Sequence, residues 1–239
     1  MVQTRSADQL RPVSFKAAPA AAPGRVLISQ GCTQVLCTAS VSLDLPPYLK
    51  PKPGEKPTQG WVTAEYSMLP GSTPDRKKRG PDSRGTEIQR LIGRALRASV
   101  NLKKMPGVSI TCDCDVLVAD GGTRTASITG GFVALARAIA WARKQGMIER
   151  DPILGPVAAV SVGIVDGRPV LDLDYALDVR AEVDMNVAMN HKGELVEVQG
   201  TAERGTFARR DLDRLLDLAG KGIRQLIGVQ REVLRGVAA

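Results

Sequence analysis

Between Val108 and Gly146 a strand pattern, a glycine pair and a helix pattern follow one another with almost no intervening loop. In VSITCDCDVLVAD (108–120), Val108, Ile110, Cys112, Cys114, Val116 and Val118 point one way and Ser109, Thr111, Asp113 and Asp115 the other, the period of a half-buried strand. In ASITGGFVALARAIAWARKQG (126–146), Ile128, Phe132, Leu135 and Ile139 recur at helical spacing, and Gly146 suits the C-cap. The strand must therefore hand over to a long core helix through Gly121-Gly122-Thr123-Arg124-Thr125. The free N–H groups of a helix start favour an anion. Arg124 adds a fork of donors matched to phosphate oxygens, and the flanking threonines add hydroxyls. The Gly-Lys-Ser/Thr ending of a Walker loop is missing. A plain structural turn explains the glycines but not the Thr-Arg-Thr, so both readings stand at this point.

The rest of the chain sets the fold class. RVLIS (25–29) and QVLCTASVSL (34–43) read as an antiparallel hairpin, and WVTAEYSML (61–69) as a further strand. TEIQRLIGRALRASVNL (86–102) is an amphipathic helix burying Ile88, Leu91, Ile92, Ala95, Leu96 and Ser99. PVAAVSVGIVDGRPVLDLDY is a hairpin turning at Asp166-Gly167, followed by the strands RAEVDMNVAMN and LVEVQGTA. A long helix over 209–235 carries Leu212, Leu215, Leu216, Ala219, Ile223, Leu226 and Ile227 on one side, with Gly220 and Gly222 weakening its middle. This order lacks strict β-α-β alternation. It predicts an α+β fold, a mixed or antiparallel sheet with packed helices. No linker divides the chain, so residues 1–239 are expected to form a single domain, with an extended N-terminal segment (1–24) and a basic loop (70–85).

The chain has 239 residues, 43% of them hydrophobic, enough for a substantial core, but only 3% aromatic, so Val, Leu, Ile and Ala must fill it. A net charge of +8 favours an anionic partner such as nucleic acid. The four cysteines, 32, 37, 112 and 114, include no C-x-x-C pair, and the single histidine, His191, has no cysteine near it. A metal knuckle is therefore not expected, and the cysteines read as reduced thiols of a cytoplasmic protein. The proline-broken N-terminus is not read as a secretory signal, and no run of about 18 apolar residues predicts a membrane span.

Two further constellations carry candidate chemistry. LDLDYALDVRAEVDMN (171–186) gathers Asp172, Asp174, Asp178, Glu182 and Asp184, a density that points to a divalent metal, a general acid or both. Asp184 should line the face opposite Val183 and Met185. The loop residues Arg76, Lys77, Lys78 and Arg79 lead to Arg84 at a helix entrance, another position that favours anions. Arg90, Arg94 and Arg97 fall mostly off the buried stripe of the next helix and offer either a solvated face or a basic surface for RNA or a neighbouring subunit.

Taken together, DQLRPV (8–13), GWVTAEYSMLP (60–70), EIQRLIGRALR (87–97), DCDVLVADGGTRTASITGGFVAL (113–135), DLDYALDVRAEVDMNV (172–187) and EVQGTAE (197–203) resemble the ribonuclease PH family, phosphorolytic 3′ exoribonucleases also called tRNA nucleotidyltransferases. The resemblance spans nearly the whole chain. It implies a fold shared with polynucleotide phosphorylase and a homohexameric ring built as a trimer of dimers. It also implies phosphate attack on the last 3′ phosphodiester of RNA, chiefly at tRNA 3′ ends, releasing nucleoside 5′-diphosphates, with the reverse reaction adding nucleotides. The positions matching Arg84, Gly122, Thr123 and Arg124 would hold the phosphate. Those matching Asp178 and Asp184 would do the acid work or bind Mg²⁺. Arg76, Arg79, Arg90, Arg94 and Arg97 would meet RNA or other subunits. The chain departs from the usual pattern at Gly71, in Ser83-Arg84-Gly85-Thr86, at Leu177 and in its long 45–60 loop. Those departures motivate the alternative of a catalytically inactive RNA-binding ring subunit.

Overall fold

The computed structural model describes residues 5–80 and 83–235. The start of the expected extended segment (1–4) and Pro81 and Asp82 of the basic loop lie outside the described residues. Two sheets form instead of the single sheet expected. The first has five strands in the order β1 (Val13–Lys16), β2 (Gly24–Gln30), β3 (Thr33–Ser42), β5 (Ser109–Val118), β4 (Trp61–Met68). It is mixed, because β4 and β5 run parallel and every other pair is antiparallel. The second is antiparallel, in the order β7 (Arg168–Leu171), β6 (Val157–Val165), β8 (Val183–Asn190), β9 (Leu195–Ala202). The α+β class holds. β1 lies inside the segment expected to be extended, and its four residues are too short for a periodic signal.

The helices are α1 (Ser83–Arg97), α2 (Thr123–Lys144), the single turn α3 (Tyr175–Asp178) and α4 (Arg209–Leu234). α2 touches both sheets, so its N-terminal two-thirds are buried nearly all round; besides Ile128, Phe132, Leu135 and Ile139 it hides Thr125, Ser127, Gly130, Gly131 and all its alanines but Ala140. It is long and apolar enough to cross a membrane by length and composition, but 83% of that window is packed inside the protein. α1 covers β4 and buries Ile88, Leu91, Ile92, Ala95 and Leu96 of the expected stripe; it ends at Arg97 rather than at 102, so Ser99 is buried in the turn after it, and α4 covers β6 and β7.

β6 explains the unbroken apolar run Val157-Ala158-Ala159-Val160. Its odd positions Val157 and Ala159 join the core around α2, and its even positions Ala158, Val160 and Val162 join the core under α4. β8 divides in the same way. Val183, Met185 and Val187 face α4, which leaves Asp184, Asn186 and Ala188 on the α2 side. Gly220 and Gly222 do not break α4. A Cβ at position 222 would come within 2.9 Å of Leu171 Cδ1, so the missing side chain lets helix and sheet approach.

One buried ion pair joins the chain's distant parts. Asp172 is fully buried and accepts from the Arg11 backbone N–H (2.8 Å), Arg11 Nε (3.1 Å), Arg11 Nη2 (2.7 Å) and Gln30 Nε2 (2.8 Å). Arg11 Nη1 reaches on to the Asp120 carbonyl at 2.5 Å, and Thr33 Oγ1 donates to the Gly121 carbonyl at 2.7 Å. Removing one partner of a buried pair strands the other charge, at a cost of about 3–5 kcal/mol. Asp172→Ala is therefore expected to lower unfolding free energy in urea by about that amount. A loss under about 1 kcal/mol would show that the pair does not brace the fold.

Candidate active site

α2 starts at Thr123, three residues earlier than the apolar periodicity indicates, because Gly122 is its N-cap. Gly121 and Gly122 have φ of 71° and 67°, the left-handed region that side chains rarely adopt. A Cβ on Gly121 would also lie 2.6 Å from the Leu173 carbonyl oxygen. The double glycine thus turns the chain abruptly and lets it pass under the 173–175 backbone. No side chain caps the α2 N-terminus, so the first-turn N–H groups retain donor capacity beside Arg124.

Around that terminus lies a polar cleft of about 570 Å³, lined by Arg84 and Glu87 from α1, Arg124 from α2, Asp178 from α3, Asp184 and Asn186 from β8, and Gln199 and Thr201 from β9, with Glu203 and Arg204 beyond. Sheet register places the β8 and β9 groups together. Asp184 pairs with Thr201 and Asn186 with Gln199, all on the face turned toward α2. The four predicted chemical side chains, Arg84, Arg124, Asp178 and Asp184, therefore share one cleft. Thr123 sits at its edge, where its hydroxyl meets the Tyr66 hydroxyl at 2.8 Å.

Three members of the acidic run have other duties. Asp172 is the buried partner of Arg11, Asp174 caps α3 by accepting from the Leu177 N–H (3.0 Å), and Glu182 accepts from the Gly167 N–H (3.0 Å). Sequence density alone could not separate these from Asp178 and Asp184. The arginines divide too. Arg97 is packed within the chain, stacked 4.5 Å over Trp61 and donating to the Val62 carbonyl at 2.9 Å, so it is a scaffold residue instead of a free basic contact. Arg94 pairs with Glu197 at 2.7 Å, and Arg76, Arg79 and Arg90 are exposed.

Gln199 was not foreseen from the sequence. Its Oε1 accepts from Arg124 Nη1 (2.6 Å) and its Nε2 donates to Glu87 Oε1 (2.7 Å), a relay that fixes the Arg124 guanidinium between α1 and β9. A lone glutamine in a strand gives no local signal for such a role. Tyr66 was also missed; burial pushes its phenol up, opposed by the Thr123 hydrogen bond and by Arg84 and Arg124.

Opposite charges face each other across the cleft. Burial raises Asp178 above the ordinary carboxylate range, with Arg84 and Arg124 pulling it back. Burial and then the nearby Asp178 push Asp184 up to about 6. The sign is that of a destabilising group. Between an unfolded value near 4 and a folded value near 6 the native state binds more protons, so stability falls as pH rises through that window. Asp184→Asn should therefore stabilise the metal-free protein at pH 7.5 by up to about 3 kcal/mol and by almost nothing at pH 4. Equal urea midpoints for the two proteins at pH 7.5 would contradict this.

Comparison with known proteins first defines the class. The fold is that of the Archaeoglobus fulgidus exosome chain solved with RNA bound to the active site (TM-score 0.81, 21% identity, 98% of this chain and 92% of that one). It is also that of rice Rrp46 (TM-score 0.73, 18% identity, 97% and 99%). Domain 1 of the 3′ exoribonuclease family matches residues 9–139 and domain 2 matches residues 155–222. Proteins named ribonuclease PH match almost end to end. That of Corynebacterium efficiens is 52% identical over 96% of this chain and 94% of its own, and that of Syntrophomonas wolfei 50% over 97% and 98%. The chain belongs to the ribonuclease PH family of 3′ exoribonucleases.

Proposed function

We propose that this cleft carries out phosphorolysis of RNA from the 3′ end. An oxygen of inorganic phosphate attacks the phosphorus of the last phosphodiester, the bond to the preceding O3′ breaks, and a nucleoside 5′-diphosphate leaves. The reverse reaction adds a nucleotide. The observation that carries the reading is that Arg84, Arg124 and the uncapped α2 N-terminus converge with Asp178 and Asp184 in one cleft. Phosphorolysis brings two anionic phosphates together, and the paired guanidiniums offset that repulsion while holding the nucleophile in place. Gly122 gives the backbone its path and Thr123 a hydroxyl at the rim. The same convergence speaks against the inactive-subunit alternative, because both halves of the machinery are present despite Gly71 and the altered 83–86 segment.

The departing O3′ needs a proton or a cation. Asp184, pushed up to about 6, is placed to supply the first. Asp178 and Asp184 also fit a Mg²⁺ ion, since their charges act on each other and Mg²⁺ is commonly held by one or two carboxylates together with water and substrate oxygens. Among the described residues no group of three His, Cys, Asp or Glu side chains comes together, so an ion here would depend on water and substrate oxygens for its remaining ligands. When bound, such an ion would stabilise charge on the leaving oxygen.

The family resemblance extends the reading to tRNA 3′ ends as main substrate, a homohexamer made as a trimer of dimers, and a reducing cytoplasm; all four cysteines are free thiols, in keeping with the last. The two family domains act as one unit in this reading, supported by a core that runs continuously from the first sheet through α2 to β6.

The test is purified protein with RNA bearing a 3′ extension, with and without phosphate and Mg²⁺. Nucleoside diphosphate should appear only when phosphate is present; nucleoside monophosphate would contradict the reading. Arg124→Ala should raise the phosphate KM by roughly tenfold or more, the loss of a charged hydrogen-bonding group. Gln199→Leu should raise it less, with RNA binding unchanged.

A further inference from the structure

At the far end of α2 from the cleft lies a second groove of about 400 Å³, bordered by Pro23, Arg25, Arg137, Ala140, Trp141 and Lys144. Three cations line it and no carboxylate does. Arg137 donates from Nη1 to the Arg25 carbonyl at 2.6 Å, which holds the two arginine residues side by side. Burial and the neighbouring Arg25 both lower the Arg137 pKa, with no acidic group acting to raise it. The Arg25 guanidinium itself donates to the Ala22 carbonyl at 2.9 Å, and an anion in the groove would offset the repulsion between the two cations.

Beside these cations stands Trp141, 38% exposed, whereas the other large apolar side chains of α2, Ile128, Phe132, Leu135 and Ile139, are buried. An exposed aromatic flanked by guanidinium and ammonium groups is the chemistry that receives a nucleobase and its adjoining phosphates. The groove does not belong to the reaction centre. From Arg124 to Trp141 the helix advances about 26 Å at ~1.5 Å per residue. At about 3.4 Å per stacked nucleotide, that separation corresponds to roughly eight nucleotides.

We infer that the Arg25–Arg137–Trp141–Lys144 groove is a distal RNA-anchoring site, which grips the body of a structured RNA whose 3′ end lies in the cleft. The inference rests on the RNA-processing reading above. A substrate too short to reach the groove gains nothing from it. A longer RNA gains two or three phosphate contacts and one stacking contact, and so a lower KM without a change in the chemical step.

The test compares the wild-type chain with Arg25→Ala/Lys144→Ala and with Trp141→Ala, using phosphate-dependent release of nucleoside diphosphate from two RNAs. One is a trinucleotide and the other a hairpin of about thirty nucleotides with a 3′ extension. Equilibrium binding of the same hairpin is measured across salt concentrations. Both variants are expected to raise the hairpin KM by about tenfold, with kcat, the trinucleotide KM and the phosphate KM unchanged. The double variant should also flatten the log–log salt dependence of binding by about 1.4 to 1.8, the loss of two phosphate contacts. Unchanged hairpin binding and salt slope would overturn the inference. So would an equal loss on both RNAs, which would mark general damage, or a changed oligomeric state with RNA binding intact, which would assign the groove to a subunit contact. If the wild-type chain binds the hairpin but releases no nucleotide from either RNA, the activity reading fails, and the salt slope still decides the groove.

Discussion

The buried pair between Arg11 and Asp172 organises the molecule. Arg11 comes from the N-terminal segment before β1, and Asp172 follows β7 in the second sheet, 161 residues later. Through Arg11 Nη1 and the Thr33 hydroxyl the same knot holds the carbonyls of Asp120 and Gly121, the two residues before the α2 N-cap Gly122. A guanidinium in that place satisfies a carboxylate and a backbone turn at once, which a pair of apolar side chains could not do. The glycine turn that presents the helix N-terminus is thereby tied to both sheets. Its geometry does not depend on the loop alone.

From that turn the chemistry follows by register. α2 carries Arg124 away from the glycines, β8 presents Asp184 because its odd neighbours are claimed by α4, and β9 brings Gln199 alongside to steady Arg124. Cations on one wall and raised carboxylates on the other create a site that is unfavourable when empty. Burying Asp178 and Asp184 near each other destabilises the fold, and in the proposed reaction that arrangement would ready one wall for a proton or a metal ion and the other for phosphate. Stability is supplied elsewhere, by the core around α2 and by the Arg11–Asp172 pair.

The sequence showed those features that have a local period or a local grammar. The β5 alternation, the α1 stripe and the Asp166-Gly167 hairpin turn, whose two residues both have positive φ, appear where they were expected. Cys37, Cys112 and Cys114 line the core, on the apolar faces that the alternation of β3 and β5 assigns them. What stayed hidden depends on pairing between distant segments. That the strands form two sheets, that α2 packs between both of them, and that Asp172, Asp174 and Glu182 are structural while Asp178 and Asp184 face the cleft are all consequences of tertiary register. Arg97 shows the same limit. Its place off the helix stripe looked solvent-facing, yet Trp61 on the neighbouring strand gave it a packing partner.

The central claim is that the glycine turn, α2 and two arginines form a cradle for inorganic phosphate. Diffraction from crystals soaked in arsenate, a tetrahedral stand-in for phosphate with its own anomalous signal, tests this directly. The account predicts an anomalous peak between Arg84 and Arg124, within hydrogen-bonding distance of the first N–H groups of α2. A peak elsewhere on the protein, with that position empty at saturating arsenate, would contradict it.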